Sequence, residues 1–349
     1  MNTVPIQRRE MGSQAGKPDL RRKVAVIGSN SFSGSDFIDL LLEDANTQVV
    51  GISRSPEKGQ LFLPYLRWAD GRFRFCQLDL NHHADEILDV LDRFEPSAIV
   101  NFAAQSEVAP SWQHPEHWFQ TNVVALARLL NGLKERRYLR KYVHISSPEV
   151  YGTCRGRVTE ETPVNPSTPY AASKAAADLY LATLVKQFSF PLVTIRATNV
   201  YGAHQQLWKI IPRSAIYLLK NQRISLHGGG TAVKSYIHIR DVSRGELLAM
   251  EHGQPGRMYH LSPDRGHAVR EVVERICKLL GRDFADSTET VGERPGQDAA
   301  YVIDSTRARQ ELGWRPEVGL DEGLQQVVGW VRGHWQEICG QPLEYRHAA

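Results

Sequence analysis

Tyr170 and Lys174 stand four residues apart at the start of an Ala-rich stretch, Tyr170-Ala171-Ala172-Ser173-Lys174. On a helix that spacing puts both side chains on one face, one turn apart. Ser147 and Glu149 follow an apolar, strand-like run, Tyr142 to Ser146. A phenol, an ammonium, a hydroxyl and a carboxylate can therefore meet in one pocket. A phenol has an ordinary pKa near 10 and is a poor base at neutral pH. An ammonium at about 4 Å contributes roughly 4 kcal/mol at an effective dielectric near 20, enough to lower the phenol's pKa by roughly three. Tyr170 would then take a proton from a hydroxyl while hydride leaves the same carbon. Ser147 would hold that oxygen, and Glu149 is available as a base. A Tyr and a Lys four apart occur often by chance on helix surfaces, so the surrounding elements decide the reading.

Those elements begin with Lys23 to Ile27, an apolar run ending at Gly28. It reads as a buried parallel strand. The loop Gly28, Ser31, Phe32, Ser33, Gly34 and a helical stretch from Asp36 to Asp44 follow. Strand, glycine loop and helix form the context of a dinucleotide-binding turn, where helix N-terminal amides meet a pyrophosphate. The usual pattern has glycine where Ser31 stands. After the second strand, Gln48 to Ile52, come Ser53 and Arg54 rather than an acidic residue. They suit a 2′-phosphate, so the expected cofactor is NAD(P), with NADP favoured over NAD. Asp79 and Leu80 end a third strand and would meet the adenine. Ala103, Ala104 and Gln105 form a small-residue loop after the fourth strand, and Ser146 ends the fifth. Lys174 would also bind the nicotinamide ribose. Six apolar strands alternating with helices imply an α/β chain with a Rossmann-type doubly wound parallel sheet.

Residues 1–22 read as a flexible N-terminal arm and 23–198 as the cofactor-binding domain. Residues 199–349 read as a smaller mixed α/β C-terminal substrate domain, part of which rejoins the large sheet. A net charge of +3 without a Lys/Arg run argues against nucleic-acid binding. No apolar run has membrane-spanning length. Cys76, Cys154, Cys277 and Cys339 are scattered and read as free thiols in a reducing cytoplasm, with no metal site expected.

From Lys23 to Trp330 the chain resembles the extended short-chain dehydrogenase/reductases. Within them it is similar to the nucleotide-sugar 4,6-dehydratases, the dTDP-glucose type most closely. The resemblance rests on His144 to Gly152, on Ser167 to Lys174, and on Arg294-Pro295-Gly296-Gln297-Asp298 through Asp304 to Leu312-Gly313-Trp314. Asn101 to Ser106 and Gly51 to Arg54 look more like the GDP-mannose branch. The resemblance implies a nucleotide-diphosphate sugar substrate and a tightly bound cofactor. Tyr170 helps make a ketone at carbon 4, Glu149 removes the carbon-5 proton, water leaves from carbon 6, and hydride returns to carbon 6. It implies Gln105, Ser147, Pro148 and Glu149 around the sugar. Asn199 and Arg294 would lie at the diphosphate, with Lys209, Ile210 and His227 at the base. Lys234 stands where dehydratases usually carry Arg. It also implies a homodimer through a four-helix bundle of Trp118–Arg136 and Tyr170–Gln187, with Ala175, Ala176 and Ala177 permitting close packing.

One position departs from the pattern. The dTDP-glucose type has Thr-Asp-Glu where this chain has Ser147-Pro148-Glu149, and the Asp protonates the departing hydroxyl. Pro148 has no proton to give, in a role worth roughly 10²–10⁴-fold. Three readings follow: Glu149 performs both proton transfers; Glu107, Cys154 or a water donates; or the reaction ends elsewhere, as a 5,6-alkene or an epimer. A 4-epimerase, a decarboxylase and a cofactor-binding regulatory protein without turnover are the alternative functions.

Overall fold

The computed structural model describes residues 22–154, 156–292 and 300–347. The strands β1 (Arg22–Ile27), β2 (Thr47–Ser53), β3 (Phe73–Gln77), β4 (Ala98–Asn101), β5 (Lys141–Ile145) and β6 (Leu192–Ala197) are those the apolar runs predict. All six are parallel neighbours in one sheet, in the order β6-β5-β4-β1-β2-β3. Val24, Val26, Val100, Val143 and Val193 are buried on one face of it, and Ala25, Ile27, Val50 and Ile99 on the other. Burial on both faces is why these strands read as continuous apolar runs rather than alternating ones.

The helices α1 (Phe32–Leu42), α2 (Ala84–Phe94), α3 (Pro115–Phe119), α4 (Leu126–Leu133) and α5 (Pro169–Phe188) cover the sheet. The sequence predicts one helix over Trp118–Arg136. The structure instead starts it at Pro115, ends it at Leu133, and widens its middle into a π-turn over Gln120–Ala125. The long α5 starts cleanly. Thr168 accepts the Ala171 N–H at 3.1 Å as N-cap, and Pro169 takes the first helical position, where no N–H is required.

After β6 the chain builds a second lobe. It contains β7 (Asn199–Tyr201), α6 (Ile210–Leu219), β8 (Ile224–His227), β9 (Val233–Lys234) and β10 (Tyr236–His238); α7 (Ile239–His252), which packs against α1, and β11 (Met258–Leu261) then return to the large sheet. β11 pairs with β6 and becomes the seventh strand of the large sheet. β12 (His267–Ala268), α8 (Val269–Leu279), β13 (Thr288–Val291) and β14 (Ala300–Tyr301) complete the small sheets, β8 with β13 and β9 with both β12 and β14. The predicted helix Leu320 to Glu337 is two helices, Leu320–Gly333 and Trp335–Cys339, parted at His334. The large sheet reverses strand order between β1 and β4. In open α/β sheets that switch point is where a crevice forms beyond the strand ends.

Candidate active site

Most of the cofactor-side residues named from sequence lie at or just beyond the C-terminal ends of β1 to β5, with Phe32, Ser33 and Gly34 opening α1 and Tyr170 and Lys174 on α5. Gly28 follows β1 with φ +89, and a Cβ there would sit 2.7 Å from the Ala103 backbone nitrogen. A Cβ on Gly34 would collide with the Gly28 carbonyl. Those two positions need glycine for space. Ser31 does not, because its φ is −76 and its hydroxyl caps α1 by accepting the Gly34 N–H at 3.0 Å. The departure from the glycine pattern falls where glycine's freedom is not used. The first turn of α1, which holds Phe32 and Ser33, carries no acidic side chain, so its positive end is open to an anion. Ser53 accepts the Asn30 N–H at 3.0 Å, and Asn30 in turn holds Ser55 and Pro56. The Arg54 carbonyl accepts from Gln77. Asp79 accepts the Asn81 N–H at 2.8 Å, and Leu80 is buried. These contacts and this cradle fit a dinucleotide.

The side chains expected to be catalytic converge. Ser147 caps a short 3₁₀ turn, Pro148–Tyr151, by accepting the Glu149 N–H at 3.2 Å. Pro148 takes the first position of that turn and is buried. The Ser147 hydroxyl is hydrogen-bonded to the Tyr170 phenol, and Glu149 lies close enough to act on it electrostatically. The expected lowering of the phenol does not occur. Burial, and then the Glu149 charge, hold the Tyr170 proton more tightly than in water. Lys174 does not offset this, because its ammonium donates to the Ile145 carbonyl at 2.7 Å and contacts His144 Nε2 at 3.4 Å.

Behind these residues lies a buried charge network that the sequence reading missed. Asp178 continues the Tyr170–Lys174 stripe by one more turn of α5. It accepts from Arg196 at 2.6 Å and from the Ser146 hydroxyl at 2.6 Å, and His144 Nε2 lies 3.8 Å away. Lys174 and Arg196 are both buried. Burial pulls Lys174 down to about 8; the Asp178 charge opposes this and Arg196 adds to it. Burial, then Lys174 and Arg196, keep His144 well below its ordinary value and so neutral. The recurrence 170, 174, 178 at helical spacing is the signal that would have found Asp178.

Asn122 is a second missed residue. It sits in the π-turn and bonds Gln105 twice, accepting its N–H at 2.8 Å and donating to its carbonyl at 3.0 Å. It also donates to Ser173 at 2.9 Å, and Ser173 donates to the Tyr170 carbonyl at 2.7 Å. One amide therefore fixes the loop after β4 against the helix that carries Tyr170. π-turns often occur where a side chain must be re-aimed at a functional site.

The substrate-side residues are spread over the second lobe. Asn199 starts β7, and Ile210 starts α6. Lys209 is the N-cap of α6 and pairs with Glu107 at 2.7 Å, where the Trp208 indole also donates at 3.3 Å. His227 ends β8 and contacts the Gly292 carbonyl at 2.9 Å, and Lys234 lies on β9. Arg294 lies outside the described residues.

A glycine turn at the switch point of a parallel sheet, facing a Ser-Tyr-Lys constellation, defines a short-chain dehydrogenase/reductase of the extended type. The GDP-mannose 4,6 dehydratase family model matches residues 26–327. The dTDP-glucose 4,6-dehydratase of Streptomyces niveus is 33% identical over 92% of this chain and 97% of its own. A dTDP-glucose 4,6-dehydratase structure from Streptomyces venezuelae with NAD bound superposes with TM-score 0.84 at 31% identity, covering 90% of this chain and 98% of that one. One from Bacillus anthracis in complex with NAD gives 0.82 at 28% identity, covering 90% and 98%. The chain belongs to the nucleotide-sugar 4,6-dehydratase family of the short-chain dehydrogenase/reductases.

The network makes a prediction. Breaking a buried ion pair by removing one partner costs about 3–5 kcal/mol. Asp178→Asn is expected to lose about that much in chemical denaturation. Lys174, depressed to about 8, loses its charge as pH rises through that value. The profile of kcat/KM should therefore fall on the alkaline side near pH 8, and further down in Asp178→Asn, where the charge that raises Lys174 is gone. A profile that does not move would overturn the assignment of Asp178 as the charge that raises Lys174.

Proposed function

We propose that this chain is a nucleotide-sugar dehydratase that oxidises carbon 4 of the sugar transiently and eliminates water across carbons 5 and 6. The convergence of Ser147, Tyr170 and Glu149 beside a dinucleotide cradle, in a chain of the dehydratase family, carries the reading. The cofactor is of the NAD(P) type, held by residues of 23–198, and the sugar nucleotide is held mainly by 199–349. When bound, the nicotinamide supplies a hydride acceptor and later a hydride donor. Ser147 and Tyr170 would hold the oxygen on carbon 4; the positive charge that the oxidised cofactor would bring offsets the burial and Glu149 effects on Tyr170, so that its phenolate receives the proton. The resulting ketone acidifies carbon 5, and Glu149 takes that proton.

Pro148 leaves the departing hydroxyl without a neighbouring acid. Glu107 is engaged by Lys209 and Trp208, and the Cys154 thiol faces the Gly152 carbonyl at 3.8 Å. Both observations support Glu149 for the two transfers: the proton taken from carbon 5 goes to the hydroxyl on carbon 6, which leaves as water. Hydride at carbon 6 and a solvent proton at carbon 5 then give a 4-keto-6-deoxy sugar nucleotide. Asn199, Lys209, Ile210, His227, Lys234 and Arg294 are the family positions for the nucleotide, and occupancy would require Lys209 to share or leave its Glu107 partner.

The end of β2 carries Ser53, Arg54 and Ser55 and no carboxylate, with the Lys58 ammonium donating to the Asn30 carbonyl at 3.0 Å. That cationic surround supports NADP, whereas the two relatives above were solved with NAD. Phe119 and Val124 on the α3–α4 stretch and Leu179 on α5 are exposed apolar side chains, which supports a homodimer built on those helices. Four free cysteines support a cytoplasmic protein.

Incubation with UDP-, dTDP-, GDP- and CDP-sugars should give, for one of them, a product lighter by one water. Deuterium placed on carbon 4 should appear on carbon 6; its return to carbon 4 would mean an alkene product, and no change in any sugar would sink the enzyme reading. Glu149→Gln should lower turnover about 10²–10⁴-fold while exchange of hydrogen at carbon 4 persists. Mass analysis of the cofactor released on denaturation should find NADP, and Arg54→Ala should shift that pool to NAD; NAD alone in the unaltered protein refutes the preference. Light scattering should give twice the chain mass, reduced to the chain mass in Leu179→Glu.

A further inference from the structure

The C-terminal segment leaves the second lobe and ends on the first. Along residues 341–347 exposure alternates: Gln341, Leu343, Tyr345 and His347 are half-buried, and Pro342, Glu344 and Arg346 are exposed. A period of two is that of an extended chain laid on a surface. The inward side chains meet successive partners. Leu343 packs against the apolar core that α6 and α8 share. Tyr345 packs edge-on against Trp208 at 5.7 Å, just before α6. His347 lies on α3 of the first lobe: its Nε2 is 2.9 Å from His117 Nδ1, and its ring stacks on the buried Trp118 at 5.1 Å. The Tyr345 hydroxyl is 3.1 Å from His347 Nδ1, so one anchor stiffens the other. The family match ends at residue 327, before this segment begins.

What the segment crosses follows from the sheet order. Strand β1 lies between β4 and β2. Arg54 follows β2, and Glu107 lies in the loop after β4. The Tyr345 phenol lies in the fields of both, and His347 in that of Arg54. A group that feels both flanks of β1 stands over its end, where the Gly28 turn opens the dinucleotide cradle. Residues 343–347, extended, span roughly 13 Å, against about 10 Å for two strand spacings, which is enough to bridge the crevice. In this fold the residue after β2 faces the adenosine ribose. We propose that residues 343–347 form the outer wall of the cofactor site, a strap across the adenosine half of the crevice that a bound dinucleotide must lift in order to leave. Tyr345 anchors it on the second lobe and His347 on the first. The inference rests on the dinucleotide reading of the cradle, and it adds a wall from the end of the chain to a site otherwise built from residues of 23–198.

The test follows release of fluorescent etheno-NAD and etheno-NADP from the full chain, chased with excess unlabelled dinucleotide in stopped flow. Two variants are compared with it: a chain ending at Leu343, which keeps the core contact, and the full-length double variant Tyr345→Ala, His347→Ala. Both should release the probe about tenfold faster or more, as a strap closed in about nine of ten molecules requires. Circular dichroism and the denaturation midpoint verify that both are folded. A wall that retains its ligand is in turn held by it, so hydrogen exchange over residues 343–347 of the unaltered chain should slow when dinucleotide is added. Equal release from all three proteins, or exchange that dinucleotide leaves unaltered, would overturn the proposal. Failure of the unaltered chain to bind either probe would sink the cradle reading and the strap together, whereas binding with unaltered release sinks the strap alone. Neither readout depends on sugar turnover.

Discussion

One carboxylate, Asp178, answers two buried cations, and the site depends on that balance. Lys174 and Arg196 are both withdrawn from water, from α5 and β6, and an unpaired buried charge is far more costly than a paired one. Asp178 reaches Arg196 directly and acts on Lys174 through space, and it takes the Ser146 hydroxyl at the end of β5. The end of β5, which leads into Ser147, α5, which carries Tyr170 and Lys174, and β6 are thereby locked in one register. The lock extends outward. The Arg196 guanidinium lies 4.6 Å from the Tyr151 ring centroid, Tyr151 meets His260 on β11 at 2.8 Å, and His260 Nδ1 contacts the Asp304 carbonyl at 3.0 Å. The return of the chain to the large sheet through β11 is thus tied to the same charges.

Asn122 does for the cofactor side what Asp178 does for the sugar side. A buried amide left unsatisfied would cost about 1–3 kcal/mol, and here both amide atoms are used. Satisfying them requires Asn122 to face both Gln105 and Ser173. The π-turn at Gln120–Ala125 lies at that position in the helix and re-aims the side chain.

The large sheet was legible because parallel strands covered on both faces must be apolar throughout, so β1 to β6 could be read off residue by residue. Tyr170 and Lys174 were legible because helical spacing is local. Arg196 and Asn122 were not, because their partners lie 18 and 51 positions away and no local pattern announces them. Ser31 departs from the glycine pattern, and the pattern does not say which glycine serves which purpose; φ and the Gly34 contact do. The phenol was misjudged for a geometric reason. Spacing places Lys174 on the correct face, but the ammonium is drawn to the Ile145 carbonyl, and burial outweighs a charge that points elsewhere.

Pro148 is where the chain's chemistry is most its own. It is a favourable residue for the first position of a 3₁₀ turn capped by Ser147, and that turn aims Glu149 at Tyr170. The chain lacks the second acid of the dTDP-glucose pattern, so in the proposed reaction the proton transfers run through Tyr170 and Glu149 alone. Oxidation at carbon 4 precedes deprotonation at carbon 5 in that scheme because the carbon-5 proton becomes acidic only once the ketone stands beside it.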